Sequence, residues 1–193
     1  MARFRALLGS FVALACASLA TAAAAQSFTG LFVFGDSLSD RGNIALAIGA
    51  DPSQVITGNS YIPSRPYASN QFSNGDVWVK SFADALGLAP FATPALAGGG
   101  DFAFGGARVA TDGAGLPPSL SAQETLFLGS TGGSAPPGAL YVVAGGGNDA
   151  RDALAAAAAS GDPSATIGAF AAAYAHDTGL LVDRLQAAGA QHI

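Results

Sequence analysis

The chain has 193 residues, half of them hydrophobic and only 11% charged, which is enough apolar material for one domain with a sizeable core and excludes wholesale disorder. Its net charge is −5 and its eight Lys and Arg residues are scattered, so no basic cluster exists to track a phosphate backbone. Nucleic acid is thereby excluded as a partner, and a neutral or cationic-headed substrate is accommodated more easily than a polyanion.

Residues 1–25 have the layout of a secretory signal peptide, which predicts a secreted or periplasmic protein. Arg3 and Arg5 precede an apolar stretch over residues 6–19, and Ala-rich sequence with A-x-A cleavage sites near Ala25 follows. An uncleaved N-terminal anchor is the competing arrangement, because residues 7–25 are nearly long enough to span a bilayer. The stretch ends in small residues and not in a charged stop, which favours cleavage. Cys16, the single cysteine, lies inside it, so a mature chain beginning at Gln26 has no disulfide.

Downstream, residues 31–34 form a continuous apolar run stopped by Gly35, the pattern of a strand buried on both faces. A loop rich in Pro, Gly, Ser and Asn covers residues 51–67. A helix is expected from Asn74-Gly75-Asp76 through Val79, Phe82, Ala83 and Leu86, with Gly87 as its stop. A second strand is expected at residues 101–104, ended by Gly105-Gly106. Ser121-Ala122-Gln123-Glu124 has the form of a capping box that starts another helix. The clearest strand is residues 140–144, ended by three glycines, after which Asp149 and Asp152 are expected to cap a helix. The longest helix is expected at 164–188, with an apolar stripe of Ile167, Phe170, Tyr174, Leu181 and Leu185. After Gly189 the chain reads as the opening of another strand. Such alternation predicts an α/β fold, a three-layer α/β/α sandwich with a mostly parallel sheet, incomplete at its C-terminal side.

Ligands of open α/β sheets bind beyond the carboxyl ends of the strands, and all three strands end in Gly plus polar residues. A Ser on a tight turn directly after a strand has its hydroxyl lifted to the sheet's rim and its own N–H free to face an oxyanion. Ser37 occupies such a turn. Gly106 can offer a second backbone N–H, and Asn148 a side-chain amide donor. Taken alone, Asn148 reads more readily as a helix cap, and Asp36 as an Asx turn that bonds its own backbone.

These segments resemble the GDSL/SGNH hydrolase family. FVFGDSLSDRGN (residues 32–43) is similar to its first block, DFAFGGARV (101–109) to its second, and VVAGGGND (142–149) to its third. SNQFSNGDVWVKSFADALGL (69–88) resembles its R-F-S-N-G segment. Two departures stand out: Asp101 where Asn is commoner, and Gln71 where Arg is usual. The resemblance implies Ser37 as nucleophile, with Gly106 and Asn148 as oxyanion donors, and assigns Asp40 and Asn43 to shaping the turn. It implies a carboxylic ester hydrolase working through an acyl-enzyme on a small-molecule or lipid ester, with no metal and no organic cofactor. Its fourth block, D-x-x-H, is absent from these residues, and neither His176 nor His192 fits it. The catalytic Asp/His pair is therefore expected beyond Ile193, and the chain as given is expected to be weak or inactive. Membrane contact is expected only through an uncleaved N-terminus or a region beyond Ile193. The alternatives are a non-catalytic secreted carbohydrate- or surface-binding module on the same fold, and an inert, poorly soluble fragment.

Overall fold

The computed structural model describes residues 27–50 and 65–193. The signal-peptide segment and most of the 51–67 loop lie outside the described residues. Strand β1 (Leu31–Gly35) is followed by α1 (Asn43–Ile48) and α2 (Trp78–Ala85), then by α3 (Leu120–Ser130), β2 (Leu140–Ala144), α4 (Gly147–Ala158) and α5 (Pro163–Ala187). Two short 3-10 turns, Ala89–Ala92 and Ala95–Ala97, link α2 to the segment at Asp101.

β1 and β2 are parallel neighbours, Leu31 opposite Leu140 and Gly35 opposite Ala144. On its other side β1 bridges Asp101 through Val33, and on its other side β2 bridges His192 through Leu140, both in parallel. Asp101 in turn bridges Pro94, so the order across the sheet is Pro94, Asp101 segment, β1, β2, His192 segment.

Alternation along β1 divides the interior in two, as a period of two requires. Leu31 and Val33 join Val77, Val79, Ala83 and Leu88 in one cluster, the one that α2 closes. Phe34 joins Phe102, Phe127, Tyr141, Leu181 and Leu185 in the other, under α3 and α5. Phe127 sits at the centre of the second cluster, with its ring against those of Phe32, Phe34, Phe102 and Tyr141. Fully burying side chains of this size stabilises by about 1.5–3 kcal/mol each. The chain is an α/β structure with a small parallel sheet and helices packed against it.

Several local expectations are corrected. The strand expected at 101–104 is one bridge residue long. Phe102 N–H still donates to the Val33 carbonyl and Val33 N–H to that of Gly100, but on the outer edge Asp101 pairs with the backbone of Thr93 and Ala95, and side chains close the rest. Asn43 Nδ2 donates to the carbonyls of Asp101 and Ala103, and Ala103 N–H turns back to Asp101 Oδ1. The helix expected from residue 74 begins at Trp78. The cap of α3 is Ser119, which accepts from Ala122 N–H, and Ser121 lies inside the helix. Of the α5 stripe, Leu181 and Leu185 are fully buried, whereas Ile167, Phe170 and Tyr174 remain 43%, 37% and 37% exposed.

Candidate active site

The turn after β1 is built by carboxylates. Asp36 Oδ1 accepts from Leu38 N–H at 3.0 Å, the Asx turn expected, and its carbonyl accepts from Ser39 and Asp40 N–H. Asp40 is buried and caps α1, accepting from Gly42, Asn43 and Ile44 N–H. Its Oδ2 also accepts from Gly105 N–H at 2.9 Å, which ties the turn after β1 to the 105–107 turn. Burial pushes both carboxyls above their ordinary range; bonds from backbone N–H groups oppose it, and the Asp149 charge adds to the rise at Asp36. Ser37 lies between the two carboxylates in sequence, half-exposed, with no side-chain hydrogen bond among the described residues.

The second turn presents adjacent glycines whose roles the geometry separates. Gly105 N–H is committed to Asp40. Gly106 has a φ of 87°, a left-handed conformation suited to glycine, and among the described residues its N–H has no partner. Its carbonyl accepts from Arg108, whose guanidinium forms a two-point pair with Asp152 at 2.8 and 3.0 Å. Asp149 accepts from Val109 N–H. Asp149 and Asp152 therefore hold the second turn; the cap position of α4 is Gly146, which makes no side-chain cap bond.

The third turn carries Asn148, which is buried at the start of α4. Its Nδ2 donates to the Ala107 carbonyl at 2.8 Å, and its Oδ1 accepts from Arg151 at 2.7 Å. These bonds fix which way the amide faces and leave one Nδ2 hydrogen uncommitted. A Cβ placed on Gly147 would lie 3.8 Å from Asp36 Oδ2, so the first and third turns also meet. Ser37, Gly106 and Asn148 thus stand on three turns that touch at one edge of the sheet.

One positioning residue escaped the sequence reading. Gln123, fully buried on α3, accepts from Gly35 N–H at 2.8 Å and donates to the Gly35 carbonyl at 2.9 Å. Its amide supplies the ladder bond to the Gly35 N–H that another strand would give, and it shares the Gly35 carbonyl with Phe104 N–H. Trp78 is a second support, donating from Nε1 to the buried Ser39 Oγ at 3.1 Å.

The sequence model of the family described as GDSL-like Lipase/Acylhydrolase matches residues 31–191. The chain belongs to that family. No curated protein matches it. The match begins at the first residue of β1 and takes in all three strand-end turns. The two departures from the GDSL pattern have structural consequences. With Gln at 71, a cation reaches Asp76 from elsewhere: the Arg41 guanidinium pairs with Asp76 and donates to Gln71 Oε1 and the Ala92 carbonyl. That pairing holds the Asp76 carboxyl below its usual range. Asp101 accepts from Arg41 N–H and Ala103 N–H, is fully buried, and is pushed up to about 8 by that burial.

Neither histidine stands near Ser37. His192 is level with Leu140 and Leu31, at the amino end of the sheet, and its ring packs edge-on against Phe28. Four residues of strand, about 13 Å at 3.3 Å each, separate that level from the end where Ser37 sits. His176 is exposed on α5, two residues from Tyr174, whose hydroxyl donates to the Gly145 carbonyl. Positions two apart on a helix do not share a face, so His176 is directed away from the third turn.

Proposed function

We propose that the chain is a serine-dependent hydrolase of carboxylic esters that works through an acyl-enzyme. Ser37 Oγ attacks the acyl carbon; the oxyanion is held by the N–H groups of Ser37 and Gly106 and by Asn148 Nδ2. The alcohol leaves with a proton, water adds to the acyl-enzyme, and the free acid departs. The observation that carries this reading is the junction of the three turns, with Asp40 bonded to Gly105, Asn148 bonded to Ala107, and Asp36 against Gly147. Membership of a lipase/acylhydrolase family favours a hydrolase over the binding-module alternative.

The reading needs a general base, and neither His176 nor His192 is placed to serve Ser37 as one. We further infer that the clusters on the sheet's two faces are the cores of a three-layer α/β/α sandwich, and that the protein is exported after cleavage near Ala25.

The test is labelling by an alkyl fluorophosphonate of the protein isolated from the cells that make it, followed by peptide mass spectrometry. The expected adduct is on Ser37 and disappears in Ser37→Ala. An adduct on another residue, or none in a folded and exported protein, overturns the assignment. N-terminal sequencing of the same sample is expected to start near Gln26.

A further inference from the structure

A cavity of about 440 Å³ opens between α4 and α5, within the range of small-molecule sites. Gly145 and Gly146 form one end, and Ala153, Leu154, Ile167 and Phe170 are among its walls. Tyr174 closes it over the strand end, with its hydroxyl donating to the Gly145 carbonyl.

The α5 stripe explains why these walls are apolar and open. Ile167, Phe170, Tyr174, Leu181 and Leu185 lie at helical spacing along one side of the helix. The C-terminal pair is sealed in the core, and the N-terminal three run past it and face the cavity, each more than a third exposed. Leu154 on α4 is 63% exposed at the same cavity. Apolar side chains kept at such positions contribute little to the fold, and a contiguous group of them marks a binding surface.

Its location names the occupant. Gly35 and Ala144 are paired across parallel strands, about 4.8 Å apart as such neighbours are. Ser37 follows Gly35 by two residues, and the cavity's Gly145–Gly146 end, over which Tyr174 packs, follows Ala144 directly. Leu38, beside Ser37, is 71% exposed and adds an apolar side chain to the nucleophile's own turn. Asp149, which follows Asn148, lines the cavity, and Gly147 lies against Asp36 beside Ser37, so the cavity adjoins the turns that carry both groups.

We propose that the α4–α5 cavity is the acyl-chain site and sets a preference for esters of medium-chain acids over acetyl esters. The proposal rests on the ester-hydrolase reading, and its test separates the two. In the first arm, kcat/KM is measured for p-nitrophenyl acetate and octanoate with wild type and Ala171→Trp, an exposed wall position where indole fills the cavity. Wild type is expected to favour octanoate by up to about fourfold per buried methylene, and the substitution to collapse that ratio. Leu154→Asp is the second variant, at a site exposed enough to leave folding intact.

The second arm needs no catalysis: saturation-transfer NMR of 2-octanone, a neutral and uncleavable chain, with Ser37→Ala protein. Transfer that Ala171→Trp removes supports the cavity even where no ester is hydrolysed, an outcome that strikes the Ser37 reading alone. Hydrolysis with a flat chain-length profile and no ketone transfer overturns the cavity and leaves Ser37 standing. A concentration-dependent dimer that Leu154→Asp dissolves, with no ketone transfer, also overturns it by making this face a contact between copies.

Discussion

The side-chain amide of Gln123 engages both backbone polar groups of Gly35, accepting from its N–H and donating to its carbonyl. Gly35 is the last residue of β1 and stands two before Ser37, so α3 fixes the point from which the nucleophile's turn departs. Gln123→Ala leaves the buried Gly35 N–H unpaired, at about 1–3 kcal/mol, while the Gly35 carbonyl keeps its bond from Phe104 N–H. The expected result in urea unfolding is a loss of about 1–3 kcal/mol, together with slower fluorophosphonate labelling. Gln123→Glu places a carboxylate oxygen against the Gly35 carbonyl and is expected to be at least as damaging. A loss below 1 kcal/mol in both variants contradicts the role.

Asp101 gives stability a dependence on pH opposite to that of an ion-paired carboxylate. Its carboxyl rises from 3.8 to about 8 because burial outweighs the N–H groups of Arg41 and Ala103, with the Asp40 charge adding to the rise. The folded chain keeps a proton there that the unfolded chain has released. Stability is therefore full below about pH 4 and falls as pH climbs toward 8, by about 1.4 kcal/mol per pH unit for one proton. Burial raises Asp36, Asp40 and Glu124 in the same sense. Asp76 and Asp152 are shifted the other way but sit near the surface, where the effect is screened. Urea unfolding at pH 5, 6 and 7 is expected to show the decline, and Asp101→Asn to flatten it. An unchanged slope in Asp101→Asn excludes this carboxyl as its source.

What could be read in the sequence was what depends on neighbours in the chain. Residues 31–35 and 140–144 announce themselves as strands because each is a short apolar run stopped by glycine, although β1 is buried while β2 is half-buried except at Tyr141. The Asx turn at Asp36 is equally local. What was missed depends on partners far away. The segment after Asp101 loses its strand identity to Asn43, 58 and 60 residues distant. Glu124 resembles the acidic half of a capping box, yet it is buried and drawn to Arg184 on α5, while Ser119 becomes the cap with Asp112 holding it. Asp149 and Asp152 look like caps and instead grip Val109 and Arg108. Gln123 gave no signal, because an amide that completes a strand 88 residues away has no periodic or motif signature.

Gln71 and Arg41 illustrate a departure from the GDSL pattern that cannot be undone alone. Gln71 Oε1 accepts from Val77 N–H at 2.9 Å as well as from Arg41, and an arginine side chain has no acceptor. Gln71→Arg, although it restores the commoner residue, orphans a buried N–H and sets two guanidinium groups together. The expected cost is about 1–3 kcal/mol. Adding Arg41→Ala is expected to relieve part of it, giving a favourable coupling in a double-mutant cycle on urea midpoints. Additive losses place the two side chains in independent environments.

Asn148 can serve as an oxyanion donor only while its amide faces the right way, and Arg151 is what holds it there. The guanidinium donates to Asn148 Oδ1, which keeps the nitrogen toward Ala107 and its second hydrogen available. Asn148→Ala removes the donor, and the expected fall in kcat is about 10²–10³-fold. Arg151→Ala leaves the donor in place but frees the amide to rotate, so a smaller fall in kcat is expected with KM nearly constant. Arg151→Lys keeps a donor within reach and is expected to recover part of the rate. If Asn148 serves only to cap and tether, both substitutions lower the urea midpoint, and labelling of Ser37 in the folded protein proceeds at the wild-type rate. Measuring midpoint and labelling rate on the same samples therefore separates a group that acts on the reacting carbonyl from one that only holds Ala107 in place.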